Sequence, residues 1–179
     1  CDTGRQKIDA ALRDPDSIVE ALGAFERPVD RRDLLTSLTA AHLADRAIAG
    51  KLRDLVENDP DVRVRKAAIH RLGAYGGKAG RDLALRVMQD PTRAWAERST
   101  AAMTLPRHAD DEVIATCLEI VRRGEDPAAT LVFAAKCLLS AVGQAGVNDA
   151  LFGQLLDPNR EEKARRSAAG VIADGGRNL

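Results

Sequence analysis

Apolar residues recur along this chain at spacings of three and four, and the runs are broken at regular intervals by glycine or proline. Val64, Ala68 and Leu72 form one stripe at helical spacing; the run GAYGGKAG interrupts it, and Leu83, Val87 and Met88 begin another. Next come Trp95, Ala101, Ala102 and Leu105, a break at Pro106, then Val113, Ile114, Cys117, Leu118 and Val121. A further stretch reads Leu131, Val132, Phe133, Ala135, Leu138 and Leu139 with Lys136 as its only charge; Gly143 to Gly146 and then Val147, Leu151, Phe152 and Leu155 follow. Each stretch predicts two helices and a turn. The helix around Lys136 is apolar almost all round, which predicts that neighbours sandwich it. Upstream, the pattern predicts a helix near 28–40 paired with one near 43–57. Ile8, Leu12, Ile18, Leu22 and Phe25 suggest a shorter pair before that, and residues 158–173 form a last first helix.

The pairs are copies of one unit. The pattern Arg-x-x-(Ala/Leu)-x-x-x-(Leu/Ile) occurs at Arg31, Leu34, Leu38; at Arg65, Ala68, Leu72; at Arg98, Ala101, Leu105; and at Arg165, Ala168, Ile172. Val132, Ala135, Leu139 keeps the spacing without the Arg. Successive starts lie 34, 33, 34 and 33 residues apart, a period characteristic of stacked helical repeats. Asp-Pro recurs at 14, 59, 90, 126 and 157, and reads as a capping Asp with Pro in the first turn of a helix. The predicted organisation is one repeat domain over 1–179: a cap or partial repeat at 1–27, repeats near 28–58, 59–89, 90–125 and 126–156, and a partial repeat at 157–179. Gly175, Gly176 and Arg177 echo Gly76, Gly77 and Lys78. The last unit therefore lacks a second helix, which predicts either a truncated chain or an apolar face open to self-association.

The stretch DPDVRVRKAAIHRLGAYG resembles the HEAT-like repeat, in particular the short form of phycobilisome lyase subunits and many bacterial proteins. Val64, Arg65, Ala68, Leu72 and Gly73 match it in order. The third and fifth copies keep Arg98 and Arg165 with Asp-Pro two residues earlier, and the fourth lacks the Arg; the likeness spans about 28–177. Tetratricopeptide and ankyrin signature residues are missing. The resemblance implies an all-α, right-handed α-α superhelix of the HEAT or armadillo type, with roughly four and a half helical pairs, each too small to fold alone. It also implies that Asp59, Arg65, Leu72, Gly73, Arg98, Leu105, Arg165 and Ile172 are structural. Gly73 is expected to cap its helix, and the repeated Arg to bond within and between units with the turn Asp as partner.

Composition agrees with helices. Of 179 residues, 45% are apolar and only five are aromatic, so the residues that favour strands are scarce. Lys plus Arg and Asp plus Glu number 27 each, which removes any global pull toward nucleic acid or an anionic membrane. No apolar run approaches the length that spans a bilayer. The charge is segregated, however. Residues 60–107 carry 10 bases and 4 acids, whereas 108–157 carry 3 and 8. Neighbouring units complement each other on the plain reading; on the sharper one the basic stretch docks an acidic partner.

The motifs with chemical potential mostly reduce to structure. A phosphate loop needs four residues between its first Gly and the Gly-Lys pair, then Ser or Thr, after a strand. Here three residues separate Gly73 from Gly77, Ala79 follows Lys78, and a helix leads in. GAYGGKAG is therefore a turn. His42, His70 and His108 belong to different units and lack the His-Glu pairing of the iron-binding HEAT-repeat hydroxylases; each reads as a surface or helix-end residue, and no metal or cofactor is expected. Cys117 and Cys137 fall on neighbouring helices, close enough for contact, and read as buried reduced thiols. Cys1 reads as a domain boundary or a missing leader. It also fits the lipidated N-terminus of a bacterial lipoprotein followed by Asp2, which would place the protein at the periplasmic face of a membrane rather than in the cytoplasm.

The expected function is non-catalytic: a scaffold whose second helices bind another protein through shape and patterned charge. The residues expected to be exposed there are Lys51, Arg53, Lys78, Arg81, Arg86, Glu119, Arg122 and Arg123. The competing classes are a HEAT-like enzyme or enzyme subunit, bilin-lyase-like or nucleic-acid-processing, and a lipid-anchored periplasmic adaptor. Lys78, Arg81 and Arg86 are a local basic cluster, but Asp110, Asp111, Glu112 and Glu119 make the neighbouring unit acidic. That mixed sign argues against a nucleic-acid groove.

Overall fold

A computed structural model of the chain describes residues 2–124, 128–144 and 146–175. Cys1, the Asp126-Pro127 pair, and Gly176 with Arg177 lie outside the described residues. The described residues are helical throughout, without a strand. Helices α1 (Asp2–Ala11) and α2 (Pro15–Ala24) form the opening pair. The helices that begin each later pair are α3 (Pro28–Ser37), α6 (Val62–Tyr75), α8 (Trp95–Thr104), α10 (Ala128–Cys137) and α12 (Glu162–Gly175). Their starts are thirty-three or thirty-four residues apart. The second helices are α5 (Arg46–Asn58), α7 (Gly77–Gln89), α9 (Asp111–Arg123) and α11 (Val147–Leu156), with the single turn α4 (Ala40–Leu43) before α5. No described helix is long and apolar enough to cross a membrane.

The starts of α2, α5, α6 and α9 use an Asp oxygen to satisfy first-turn N–H groups that have no partner within the helix. Asp14 accepts from Ser17 N at 2.9 Å, with Pro15 in the first turn, as the sequence predicts. Asp45 caps α5, Asp61 caps α6 and Asp110 caps α9. The Arg63 guanidinium bonded to Asp61 holds that carboxyl down at about 2. The remaining described Asp-Pro pairs are not helix starts. Asp59, Asp90 and Asp157 each accept from the backbone N–H two residues on, at Asp61, Thr92 and Asn159, all at 2.9 Å. These are Asx turns between one pair and the next, and Asp59 and Asp157 end the preceding helix rather than begin the following one.

The chain divides into two compact units, Cys1–Ala84 and Leu85–Leu179, with α7 contributing to both. In the first unit α6 packs on α3 and α5, α5 on α2, and α1 on α2 and α3. Leu34, Leu35, Ile48, Leu52, Val56, Val64, Ala68 and Ile69 are fully buried there. In the second unit α10 is enclosed by α8, α9 and α12, while α11 packs on α9 and α12. The pattern around Lys136 is thereby explained: Leu131, Val132, Ala134, Ala135 and Cys137 are buried on several sides of α10, and exposed Lys136 lies over the Phe133 ring at 5.3 Å. A buried hydroxyl pair, Ser99 with Thr130 at 3.2 Å, joins α8 to α10.

The repeated arginines close helix ends. The last carbonyls of a helix have no partner within it and carry the negative end of its dipole, so a guanidinium placed there satisfies both. Arg31 donates to Phe25 O at 2.5 Å and Glu26 O at 3.1 Å, at the end of α2. Arg65 donates to Asp59 O at 2.9 Å and Pro60 O at 3.3 Å, at the end of α5. In the second unit Arg98 reaches Met88 O at 2.9 Å and Arg165 reaches Leu155 O at 3.0 Å. Arg31 also grips Asp59 through Nε at 2.9 Å and Nη2 at 3.3 Å. With 12% and 3% of their side chains exposed, this pair is buried and bidentate, and removing one partner leaves a buried charge.

The run GAYGGKAG is a turn, but its cap is not Gly73. Gly73 is buried inside α6, which continues to Tyr75; Gly76 ends the helix through its N–H to Leu72 O at 2.7 Å, and Gly77 takes the left-handed conformation, φ +57°. Gly80 presses against the same carbonyl, so that a Cβ there would lie 1.9 Å from Leu72 O. Gly80→Ala should therefore destabilise the protein by about 1–3 kcal/mol in urea unfolding. Gly50→Ala, in α5 with open space around its Cβ position, should instead stabilise it by up to about 1 kcal/mol. Equal effects of the two substitutions would contradict this packing.

Candidate functional site

The second helices carry the charges expected to meet a partner, and the structure spreads them over several shallow grooves. In the first unit Lys51 is partly exposed and reaches Asp54 at 3.4 Å. Arg53 is exposed and lines a groove of about 330 Å³ with Leu43, Asp45, Ala49, Leu72 and Gly76. Lys78 is 79% exposed and pairs with Asp82 at 3.0 Å. Arg81 departs from expectation: it is buried, with its guanidinium 2.7 Å from Asp82. Asp82 is held below the usual carboxylate range by its bond to Lys78 and then by Arg81. The turn imposes this, since Gly80 is locked against Leu72 and carries Arg81 inward with it.

In the second unit Arg86, Glu119, Arg122 and Arg123 are all exposed. Glu119 and Arg123 share a groove of about 420 Å³ with Gln89, Ala115, Thr116 and Ile120, between the end of α7 and α9. Arg122 lines a second groove, about 330 Å³, on the other side of α9, with Asp149, Gly153, Gln154 and Arg160. Arg122 makes one long bond, 3.5 Å, to Gly146 O. Arg160 pairs with Asp157 at 3.2 Å. Buried Gln154 donates to Ala164 O at 2.7 Å, and its Oε1 has no hydrogen-bond partner among the described residues.

Two kinds of residue escaped the sequence pattern. The first is polar and buried: Glu97 is 2% exposed and faces Arg93 at 3.6 Å, a spacing of four that marks an ion pair but not its burial. The second is apolar and exposed. Trp95, Leu139 and Phe152 belong to the predicted stripes yet are 64%, 40% and 45% exposed, as is neighbouring Leu156 at 72%. Of the repeat positions, Leu72 and Leu105 are buried, whereas Ile172 is half-buried beside buried Val171. A concavity of the first unit, about 670 Å³, lies between α1 and α3 and is polar, lined by Arg5, Asp9, Arg27, Asp30, Asp33 and Thr36 among others.

The histidines are dispersed. His42 accepts from Thr39 N at 3.0 Å, completing a reciprocal cap at the start of α4. His70 is half-buried in the middle of α6 rather than at a helix end, and His108 closes the 3₁₀ turn after α8. Among the described residues no three His, Cys, Asp or Glu side chains gather as metal ligands would. Cys117 on α9 and Cys137 on α10 are both free and buried. The bond to Cys117, followed by burial, pushes the Cys137 thiol up.

No family model matches the chain, and no curated protein matches it. What the geometry offers is a set of charged grooves on second helices and an inert thiol pair. In a Cys1→Ser background, Cys117 and Cys137 should react with a disulfide reagent only as fast as the protein unfolds, because the thiolate is the nucleophile and neither sulfur is exposed. Prompt labelling of the folded protein would contradict the burial.

Proposed function

We propose that this chain is a HEAT-like α-solenoid, a right-handed stack of helical pairs, working as a non-catalytic scaffold that holds a protein partner against its second helices. The observation that carries the reading is a contrast between two sets of arginines. Arg31, Arg65, Arg98 and Arg165, on first helices, are directed at backbone carbonyls. Arg53, Arg86 and Arg122, on second helices, are exposed, and none has a carboxylate partner among the described residues. The recurrence of first helices every thirty-three or thirty-four residues supports the same reading.

A partner bound there would be recognised by shape and by the order of charges. Each exposed ion pair contributes only about 0.2–1 kcal/mol, so affinity requires several grooves at once, and the charges act chiefly on encounter rate and partner choice. The test is quantitative affinity capture from cells of the source organism, followed by binding measurements with the purified partner. Arg53→Glu/Arg86→Glu/Arg122→Glu should leave the unfolding free energy within about 0.5 kcal/mol of the parent and weaken partner binding at least about tenfold, more so at low salt. An unchanged partner set with unchanged affinity would remove these helices as the docking surface.

A further inference from the structure

The exposed side of α11 combines features that the scaffold reading leaves unexplained. Asp149, Phe152, Gly153 and Leu156 are spaced as one face of a helix, and all four are exposed. Phe152 and Leu156, 45% and 72% exposed, put two large apolar side chains a turn apart in water. Between them Gly153 leaves the backbone bare, and a Cβ there would meet nothing within 4 Å, so another helix can approach closely at this point.

The charges beside that face come in both signs. Arg122 and Asp149 line one groove, yet they form no ion pair with each other or with any other described residue. Arg160, in the same groove, is already paired with Asp157. With Asp157 counted beside the Arg160 that it pairs, the described charges at this groove balance and favour neither an acidic nor a basic partner. Arg122 and Asp149 are one cation and one anion without an ion-pair partner among the described residues. A surface of that kind is complementary to itself under a twofold rotation, in which residue i meets j and j meets i.

We infer that the α9–α11 face is a self-association surface, on which two copies of the chain pair with Arg122 of each against Asp149 of the other and with Phe152 and Leu156 covered between them. With the twofold axis perpendicular to α11 the two α11 helices run antiparallel, which also opposes their dipoles favourably. The interface is small, so association is concentration-dependent and belongs to the weak class. This inference does not rest on the scaffold reading: capture of a partner by the second helices and doubling of the chain's mass are separate measurements.

The test is sedimentation equilibrium of the 179-residue chain over about 1 μM to 1 mM, where the expected result is a reversible shift from 19.2 kDa to twice that mass. Leu156→Asp, and independently Phe152→Ser, should weaken the dimer at least about tenfold, with circular dichroism melting as the check that the fold persists. Arg122→Asp alone and Asp149→Arg alone should each weaken it similarly. Combining Arg122→Asp with Asp149→Arg should restore the dissociation constant to within about threefold of the parent, because the reciprocal pairs are re-formed with signs exchanged. A chain that stays at 19.2 kDa throughout, a dimer indifferent to Leu156→Asp and Phe152→Ser, or a double variant no better than the single ones would each overturn the inference.

Discussion

The carbonyls at the end of an α-helix need partners, and this chain gives them the same one at the same place in its pattern. Arg31, Arg65, Arg98 and Arg165 stand near the start of a first helix and reach back to the final carbonyls of the helix before. A guanidinium suits the position because its donors fan out in a plane and its charge meets the negative end of the dipole. Each such contact fixes where one helical pair begins relative to the end of another. The Asx turns of Asp59, Asp90 and Asp157 hold the intervening chain in the shape that lets the arginine arrive, and at Asp59 the carboxylate takes Arg31 of the preceding pair as well.

Within a pair, close packing replaces polar bonds. The turn from α6 to α7 works because Gly77 accepts a left-handed backbone and Gly80 has no Cβ to strike Leu72 O. That compression carries Arg81 into the interior and leaves Lys78 outside. Packing also decides which side chains of the second helices remain available. The small residues and the locked turn are therefore upstream of the grooves that a partner would meet.

Helical class and helix positions were legible in the sequence because the Arg-to-Leu pattern repeats with a period that local hydrophobic spacing alone would not produce. The failures have particular causes. Asp-Pro suits a helix start and an Asx turn equally, since both use the Asp oxygen on a nearby N–H; only the position of the following helix separates them. Gly73 looked like a cap because glycine is favoured there, but Gly76 and Gly77 follow three and four residues later and end the helix instead. Phe152 and Leu139 sit in helices so apolar that the pattern cannot tell the outward side from the inward ones. The burial of Glu97 depends on contacts that no spacing records.

The proposed scaffold and the inferred self-association both depend on arginines of first helices being structural, so that those of second helices are left for partners. Urea unfolding of four variants, Arg31→Met, Arg65→Met, Arg98→Met and Arg165→Met, measures this directly, because Met keeps much of the stem and removes the donors. Arg65→Met, Arg98→Met and Arg165→Met should each lower stability by about 1–3 kcal/mol, the cost of leaving carbonyls unbonded and losing a charged hydrogen bond, and Arg31→Met, which also strands buried Asp59, by about 3–5 kcal/mol. Arg63→Met, at a 64% exposed side chain paired with Asp61, should change it by no more than about 1 kcal/mol. If the four behave like Arg63, the repeated arginine does not hold the pairs together and the account of this fold fails at its foundation.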